Sequence, residues 1–129
     1  MNSSIKILIV EDEMVIGAKI SLQLSSLGYN VIGPAVDAEE ALNEIKDAQP
    51  DILILDINLN SDMDGTQLAS KMQENYDIPI IYLTANSDET NFSRAKETNP
   101  YAFISKPFKK LDLQRAVELT VSRIQAEGT

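Results

Sequence analysis

The chain has no cysteine and no histidine among its 129 residues. Thiolate nucleophiles, imidazole acid–base catalysis, ordinary zinc sites and disulfide staples are therefore excluded together. Carboxylate, hydroxyl and ammonium groups must carry any chemistry. Long apolar runs are missing too: no uninterrupted stretch of aliphatic or aromatic residues exceeds four, and a membrane-spanning helix needs roughly twenty. Met1 to Ser4 is a polar lead without an apolar stretch of signal-peptide length, so the expected compartment is the cytoplasm, with no membrane contact. Basic residues are scarce, with 11 Lys and Arg against 20 Asp and Glu and a net charge of −9. That balance argues against direct nucleic-acid binding, whose affinity comes mainly from clustered Lys and Arg. A protein or a metal ion is the expected partner.

What is present reads as a folded domain. Hydrophobic residues make up 43% and charged residues 24%, ordinary values for a globular protein. A chain of this size buries about two thirds of its unfolded surface without staples. Residues 1–129 are expected to form one domain with its core over about 5–125. Five short apolar segments read as strands: Ile5 to Val10, Val31 to Ile32, Ile52 to Leu55, Ile80 to Leu83 and Ala102 to Ile104. Three of them are nearly unbroken Ile, Leu and Val, as in parallel strands covered on both faces.

Helical periodicity fills the gaps. Met14 to Leu27 repeats apolar residues every three or four positions and stops at Gly28. Ala38 to Ala48 follows Asp37, an N-cap candidate, and precedes Pro50. Leu68, Met72 and Tyr76 mark a third helix after Gly65. Ser87 to Thr98 is the leanest, with only Phe92 and Ala95 as inward residues. Leu113, Val117, Thr120 and Ile124 mark the last, beginning at Lys110 to Asp112. Strand–helix alternation with short connections predicts a doubly wound α/β fold whose five parallel strands are ordered 2-1-3-4-5.

In such a sheet the binding crevice lies at the carboxyl ends of the strands. The first strand ends in Glu11, Asp12 and Glu13, the third in Asp56, the fourth in Thr84 and Ala85, the fifth in Ser105, Lys106 and Pro107. Several carboxylates, a hydroxyl and an ammonium converge there. Oxygen donors without imidazole or thiolate favour a hard cation such as Mg²⁺. Asp56 can then act as a carboxylate nucleophile toward phosphorus, with Thr84 and Lys106 meeting the transferred oxygens. Small Ala85 keeps access open. Each residue also has a plain structural reading: Glu11 to Glu13 as caps of the next helix, Asp56 as a turn residue, Thr84 as a strand former, Lys106 as a solvated charge. Four strand ends supplying complementary groups outweigh these readings taken singly.

Leu8-Ile9-Val10-Glu11-Asp12-Glu13, Leu53-Ile54-Leu55-Asp56, Met63-Asp64-Gly65, Tyr82-Leu83-Thr84-Ala85 and Ser105-Lys106-Pro107-Phe108 together resemble the signature segments of two-component response-regulator receiver domains of the CheY-like superfamily. The resemblance runs from about Lys6 to about Arg123. It implies a flavodoxin-like fold in which Asp56 accepts a phosphoryl group from the histidine of a partner sensor kinase or phosphotransfer protein. It implies Mg²⁺, replaceable by Mn²⁺, held by Glu11, Asp12, Asp56 and the backbone carbonyl of Asn58. Lys106 and Ala85 would contact the phosphoryl group, and the Lys106-Pro107 bond would be cis. Thr84 and Phe103 would form the switch that remodels the face of the fourth helix and fifth strand, addressing an output domain or effector. The face made with the fifth helix would serve a homodimer. Such a domain is not an enzyme beyond its own phosphorylation and dephosphorylation.

The sequence departs from the pattern at Glu11, where Asp is commoner, and at Phe103, where Tyr is frequent. The span from Asp56 to Gly65 is one residue longer than usual, and no proline stands near Asn60. Wording around Asn58-Leu59 and Lys96 to Tyr101 is similar to receivers that precede a LytTR-type DNA-binding domain.

Rival readings fit less well. An EF-hand loop starting at Asp56 would carry Ser61 in place of glycine and Gln67 in place of glutamate. A haloacid-dehalogenase-like Mg²⁺ phosphatase uses the same groups, but its nucleophile ends the first strand in an Asp-x-Asp pair. A flavodoxin-like electron carrier needs a phosphate cradle after the first strand, where Glu11 to Glu13 repel phosphate.

Overall fold

The computed structural model describes residues 4–85 and 89–128. Five strands and five helices alternate: β1 (Lys6–Val10), α1 (Met14–Ser26), β2 (Asn30–Ala35), α2 (Ala38–Ala48), β3 (Ile52–Asp56), α3 (Gly65–Gln73), β4 (Ile80–Ala85), α4 (Glu89–Lys96), β5 (Ala102–Lys106) and α5 (Lys110–Glu127). The strands form one parallel sheet in the order β2-β1-β3-β4-β5. This is the flavodoxin-like arrangement that the alternation predicts.

Period-two alternation sorts the strand residues into two cores. Ile7, Ile9, Ile52, Ile54, Ile81, Leu83 and Ile104 pack with Ile20 and Leu24 of α1 and Leu113 and Val117 of α5. Leu8, Val10, Leu53, Leu55, Ile80 and Tyr82 pack with residues of α2, α3 and α4 on the other face. Every residue of β3 is buried, so this strand has no solvent face and tolerates an unbroken Ile-Leu-Ile-Leu run. Burying each such side chain stabilises the fold by roughly 1.5–3 kcal/mol relative to leaving it exposed.

The helices start and stop for local reasons. Asp37 caps α2 by accepting from the Glu40 backbone N–H at 2.8 Å. Leu27 caps the C-terminus of α1 and Gly28 follows with φ +96°, a conformation glycine adopts without strain. Asp64 and Gln67 form a reciprocal capping box at the start of α3.

Strand and helix ends shift by one or two residues from the sequence expectation in most elements, and three differences bear on the fold. β2 runs to Ala35 instead of ending at Ile32, because Gly33 (φ +90°) and Pro34 sit inside a register shift of the β1–β2 ladder and do not end the strand. α3 ends at Gln73, and Tyr76 lies past its end while still packing against the core. α4 is described from Glu89 to Lys96, and the expected start at Ser87 lies outside the described residues. Ala95 is its one buried residue, whereas Phe92, expected to point inward, is 37% exposed because its ring lies against Phe103 at the surface. No helix is long and apolar enough to cross a membrane among the described residues.

Candidate functional site

Three strands each place a charged residue two positions beyond a core residue of the α1–α5 face: Ile9 then Glu11, Ile54 then Asp56, Ile104 then Lys106. Alternation puts all three on the same side of the sheet. Val10 pairs with Leu55, so Glu11 and Asp56 leave adjacent strands side by side. Lys106 stands on β5, two strand spacings or about 10 Å from β3, and its flexible four-carbon stem spans the gap. Its Nζ donates to both carboxylate oxygens of Glu11 at 3.1 Å and to Asp56 Oδ2 at 3.2 Å.

This cluster is largely withdrawn from water, with Glu11 fully buried and Asp56 4% exposed. Burial first, and the neighbouring Asp56 carboxylate second, push the Glu11 carboxyl up to about 7 against the opposing pull of Lys106. Burial also works against the Lys106 ammonium, but the two carboxylates outweigh it and hold that group above its ordinary value. Carboxylate oxygens of Glu11, Asp12 and Asp56 lie within 4.8 Å of one another. One ammonium facing three carboxylates leaves negative charge uncompensated, and the donors are all oxygen. The arrangement fits a hard divalent cation.

The remaining expected residues surround this cluster without all joining it. Asp56 Oδ1 accepts from the Asn58 backbone N–H at 3.0 Å, so the aspartate shapes its turn with one oxygen and faces Lys106 with the other. Thr84 is buried, one residue past Leu83, the partner of Asp56 in the β3–β4 ladder. Its hydroxyl donates to the Ala85 carbonyl at 3.0 Å, and Ala85 is exposed. Glu13 is exposed at the N-cap of α1 and makes no side-chain capping bond, so the capping reading fails for it. Phe103 sits apart, packed between Tyr82 and Phe92 with ring centroids 5.7 and 4.5 Å away. The Lys106-Pro107 bond is cis, and so is Gly33-Pro34, which sequence reasoning did not anticipate.

Sequence reasoning also missed polar contacts between α4 and the loop after β3. Asn91 Nδ2 donates to Asn58 Oδ1 at 2.8 Å, and Arg94 pairs with Asp64 at 3.0 Å. Only the Asp64-x-x-Gln67 spacing carried a readable signal, that of a capping box.

Residues 7–118 match the model of the response regulator receiver domain, and the chain belongs to that family. It is 35% identical over 120 residues to the transcriptional regulatory protein PdtaR of Mycobacterium tuberculosis, covering 93% of this chain and 58% of that protein. Identity with the probable transcriptional regulator ycf27 of Porphyridium aerugineum is 34% over 119 residues, covering 92% and 49%. The chain thus spans about half the length of the curated relatives it matches. Among solved structures, the signal receiver domain of a modulated diguanylate cyclase from Desulfovibrio desulfuricans is similar with a TM-score of 0.87 and 36% identity, over 95% of this chain and 97% of that one. The receiver domain of NtrX from Brucella abortus has a TM-score of 0.79 and 32% identity, over 87% and 98%.

Proposed function

We propose that this receiver domain is a reversible switch in which Asp56 takes a phosphoryl group from the histidine of a partner sensor kinase or phosphotransfer protein. The observation that carries this reading is the Lys106 ammonium set between Glu11 and Asp56 at 3.1 and 3.2 Å. An Asp56 carboxylate oxygen attacks phosphorus as the bond from phosphorus to the donor's imidazole nitrogen breaks. The electron pair of that bond stays on the imidazole, and an acyl phosphate forms on Asp56. Lys106 then transfers its hydrogen bonding to a phosphoryl oxygen, and the Thr84 hydroxyl leaves the Ala85 carbonyl to donate to another. Glu11, Asp12, Asp56 and the Asn58 backbone carbonyl would hold Mg²⁺, or Mn²⁺ in its place, which supplies positive charge beside the phosphoryl oxygens when bound.

The output follows from the same movement. Withdrawal of Thr84 opens space beside Tyr82 and Phe103 on the α4 side of the sheet, and the face of α4 and β5 changes shape to engage an output domain or effector. A homodimer through α4, β5 and α5 is one form of that engagement. The domain turns over no separate metabolite.

Incubation with acetyl phosphate and Mg²⁺, followed by intact mass, tests the reading on wild type and Asp56→Ala. One phosphoryl group gained by wild type alone supports it. Sustained release of phosphate from varied esters would instead favour a haloacid-dehalogenase-like phosphatase.

A further inference from the structure

The loop from Asn58 to Asp64 is fastened to α4 at both ends. At its start, Asn58 Oδ1 accepts from Asn91 Nδ2 at 2.8 Å. At its end, Asp64 Oδ2 accepts from Arg94 Nη2 at 3.0 Å, while Asp64 Oδ1 accepts from the Thr66 hydroxyl at 2.7 Å and the Gln67 N–H at 2.9 Å. Arg94 Nη1 also donates to Asn91 Oδ1 at 3.1 Å. A guanidinium can only donate, so it fixes which way the Asn91 amide points. The oxygen faces Arg94, and the nitrogen is left to donate to Asn58. Asn58 in turn donates its N–H to Asp56 Oδ1 at 3.0 Å. One connected path runs from the α3 cap through α4 to the acceptor aspartate. The loop contains no proline, and besides the Gly65 N–H to Ile57 carbonyl bond that closes it, these side-chain bonds tie it to α4.

We propose that Asn91 and Arg94 are positioning residues for the acceptor loop: from α4 they set the cation affinity of the Glu11, Asp12 and Asp56 site by holding Asn58. The inference rests on the metal site of the proposed function. Linkage makes the coupling reciprocal, so a cation bound at the strand ends tightens α4 as much as α4 tightens the site. The contribution to overall stability is small, because the Arg94–Asp64 pair is exposed, with 43% and 24% of the side chains accessible, and exposed pairs contribute little. Loss of the tie is therefore read in the loop and in cation binding while the global unfolding midpoint holds still, which distinguishes positioning from a general structural role.

A double-mutant cycle on Mg²⁺ affinity tests this, using wild type, Asn91→Ala, Asn58→Ala and the double variant. Calorimetric titration gives the affinity, urea unfolding the midpoint, and hydrogen exchange in EDTA the protection of the Asn58 amide. Asn91→Ala is expected to weaken Mg²⁺ binding about fivefold, the factor one net hydrogen bond carries, and to speed exchange at Asn58. On the Asn58→Ala background the same substitution is expected to change nothing further. An equal loss on both backgrounds, or an unchanged affinity in Asn91→Ala, overturns the proposal while leaving the metal site standing. Failure of wild type to bind Mg²⁺ overturns the site and this coupling together.

Discussion

The Lys106 ammonium lies at equal distance, 3.1 Å, from the two carboxylate oxygens of Glu11, a residue 95 positions earlier with no exposed surface. The same ammonium also serves Asp56. A single cation shared between two buried carboxylates satisfies neither fully, and burial beside the Asp56 carboxylate forces Glu11 toward its neutral form. The receiver family's first acidic position thus holds a group that titrates in the physiological range when no metal is bound.

That gives a sign to the pH dependence of the metal-free protein. Glu11 titrates at about 7 in the fold against an ordinary 4.5, so the folded state keeps a proton that the unfolded chain releases. Its stabilising contribution is whole below 4.5, falls as pH rises, and is gone above about 7. At about 1.4 kcal/mol per unit the loss is on the order of 3 kcal/mol. With no histidine in the chain, no other side chain has its ordinary value between about pH 5.5 and 8. Urea midpoints in EDTA should therefore drop across this window, and added Mg²⁺ should restore them at pH 8. A flat profile in EDTA contradicts the assignment.

Lys106→Met separates the two tasks of the ammonium. Labelling by acetyl phosphate is expected to slow on the order of 100-fold, as when a positioned charge-stabilising donor is removed. Mg²⁺ affinity, read by titration, is expected to hold or rise, because a competing cation has left the acids. Weaker metal binding together with unchanged labelling would reverse the roles given to these residues.

Gly65→Ala tests the packing of α3 on the end of β3. A Cβ at this position would collide with the Asp56 carbonyl oxygen and lie 2.9 Å from Ile57 Cα. Both obstacles are backbone, so the helix start must move. Overpacking of this kind costs typically 1–3 kcal/mol, and the urea midpoint should fall accordingly. An unchanged midpoint would mean that α3 does not sit this close.

Tyr82→Phe removes one buried donor and keeps the ring. The Thr98 hydroxyl gives its hydrogen to the Ala95 carbonyl at 2.6 Å, so Tyr82 donates to Thr98 across 2.7 Å. Burial pushes the Tyr82 phenol up to about 12 and keeps it protonated. The substitution should cost about 1 kcal/mol in urea unfolding and speed amide exchange near Ala95 to Thr98. Tyr82→Leu, which also loses the stack on Phe103, should cost more; equal costs would assign no weight to the stack, and an unchanged midpoint in Tyr82→Phe none to the hydroxyl.

The central strands were legible because Ile7 to Val10 and Ile52 to Leu55 are buried on both faces and so need no polar residues. The site was legible for the same reason, since unbroken apolar runs make their first charged successors conspicuous, and topology brings those successors together. β2 was read short because Gly33 and Pro34 are ordinary breakers in sequence, and here a register shift absorbs them. Asn91, Arg94 and Asp64 gave no sign of their association. Contacts between exposed polar side chains 30 and 33 residues apart follow no periodicity, and only the packed helices bring them within reach.

Lys106 comes from the last strand of the sheet, whereas Glu11 and Asp56 come from the first half of the sequence. During synthesis a nascent chain that stops short of β5 carries the acids without their ammonium, and their mutual repulsion goes unanswered. The charge cluster is therefore complete only once β5 has joined the sheet, and a partly folded domain lacking that strand leaves the acids at the ends of β1 and β3 without their counter-charge.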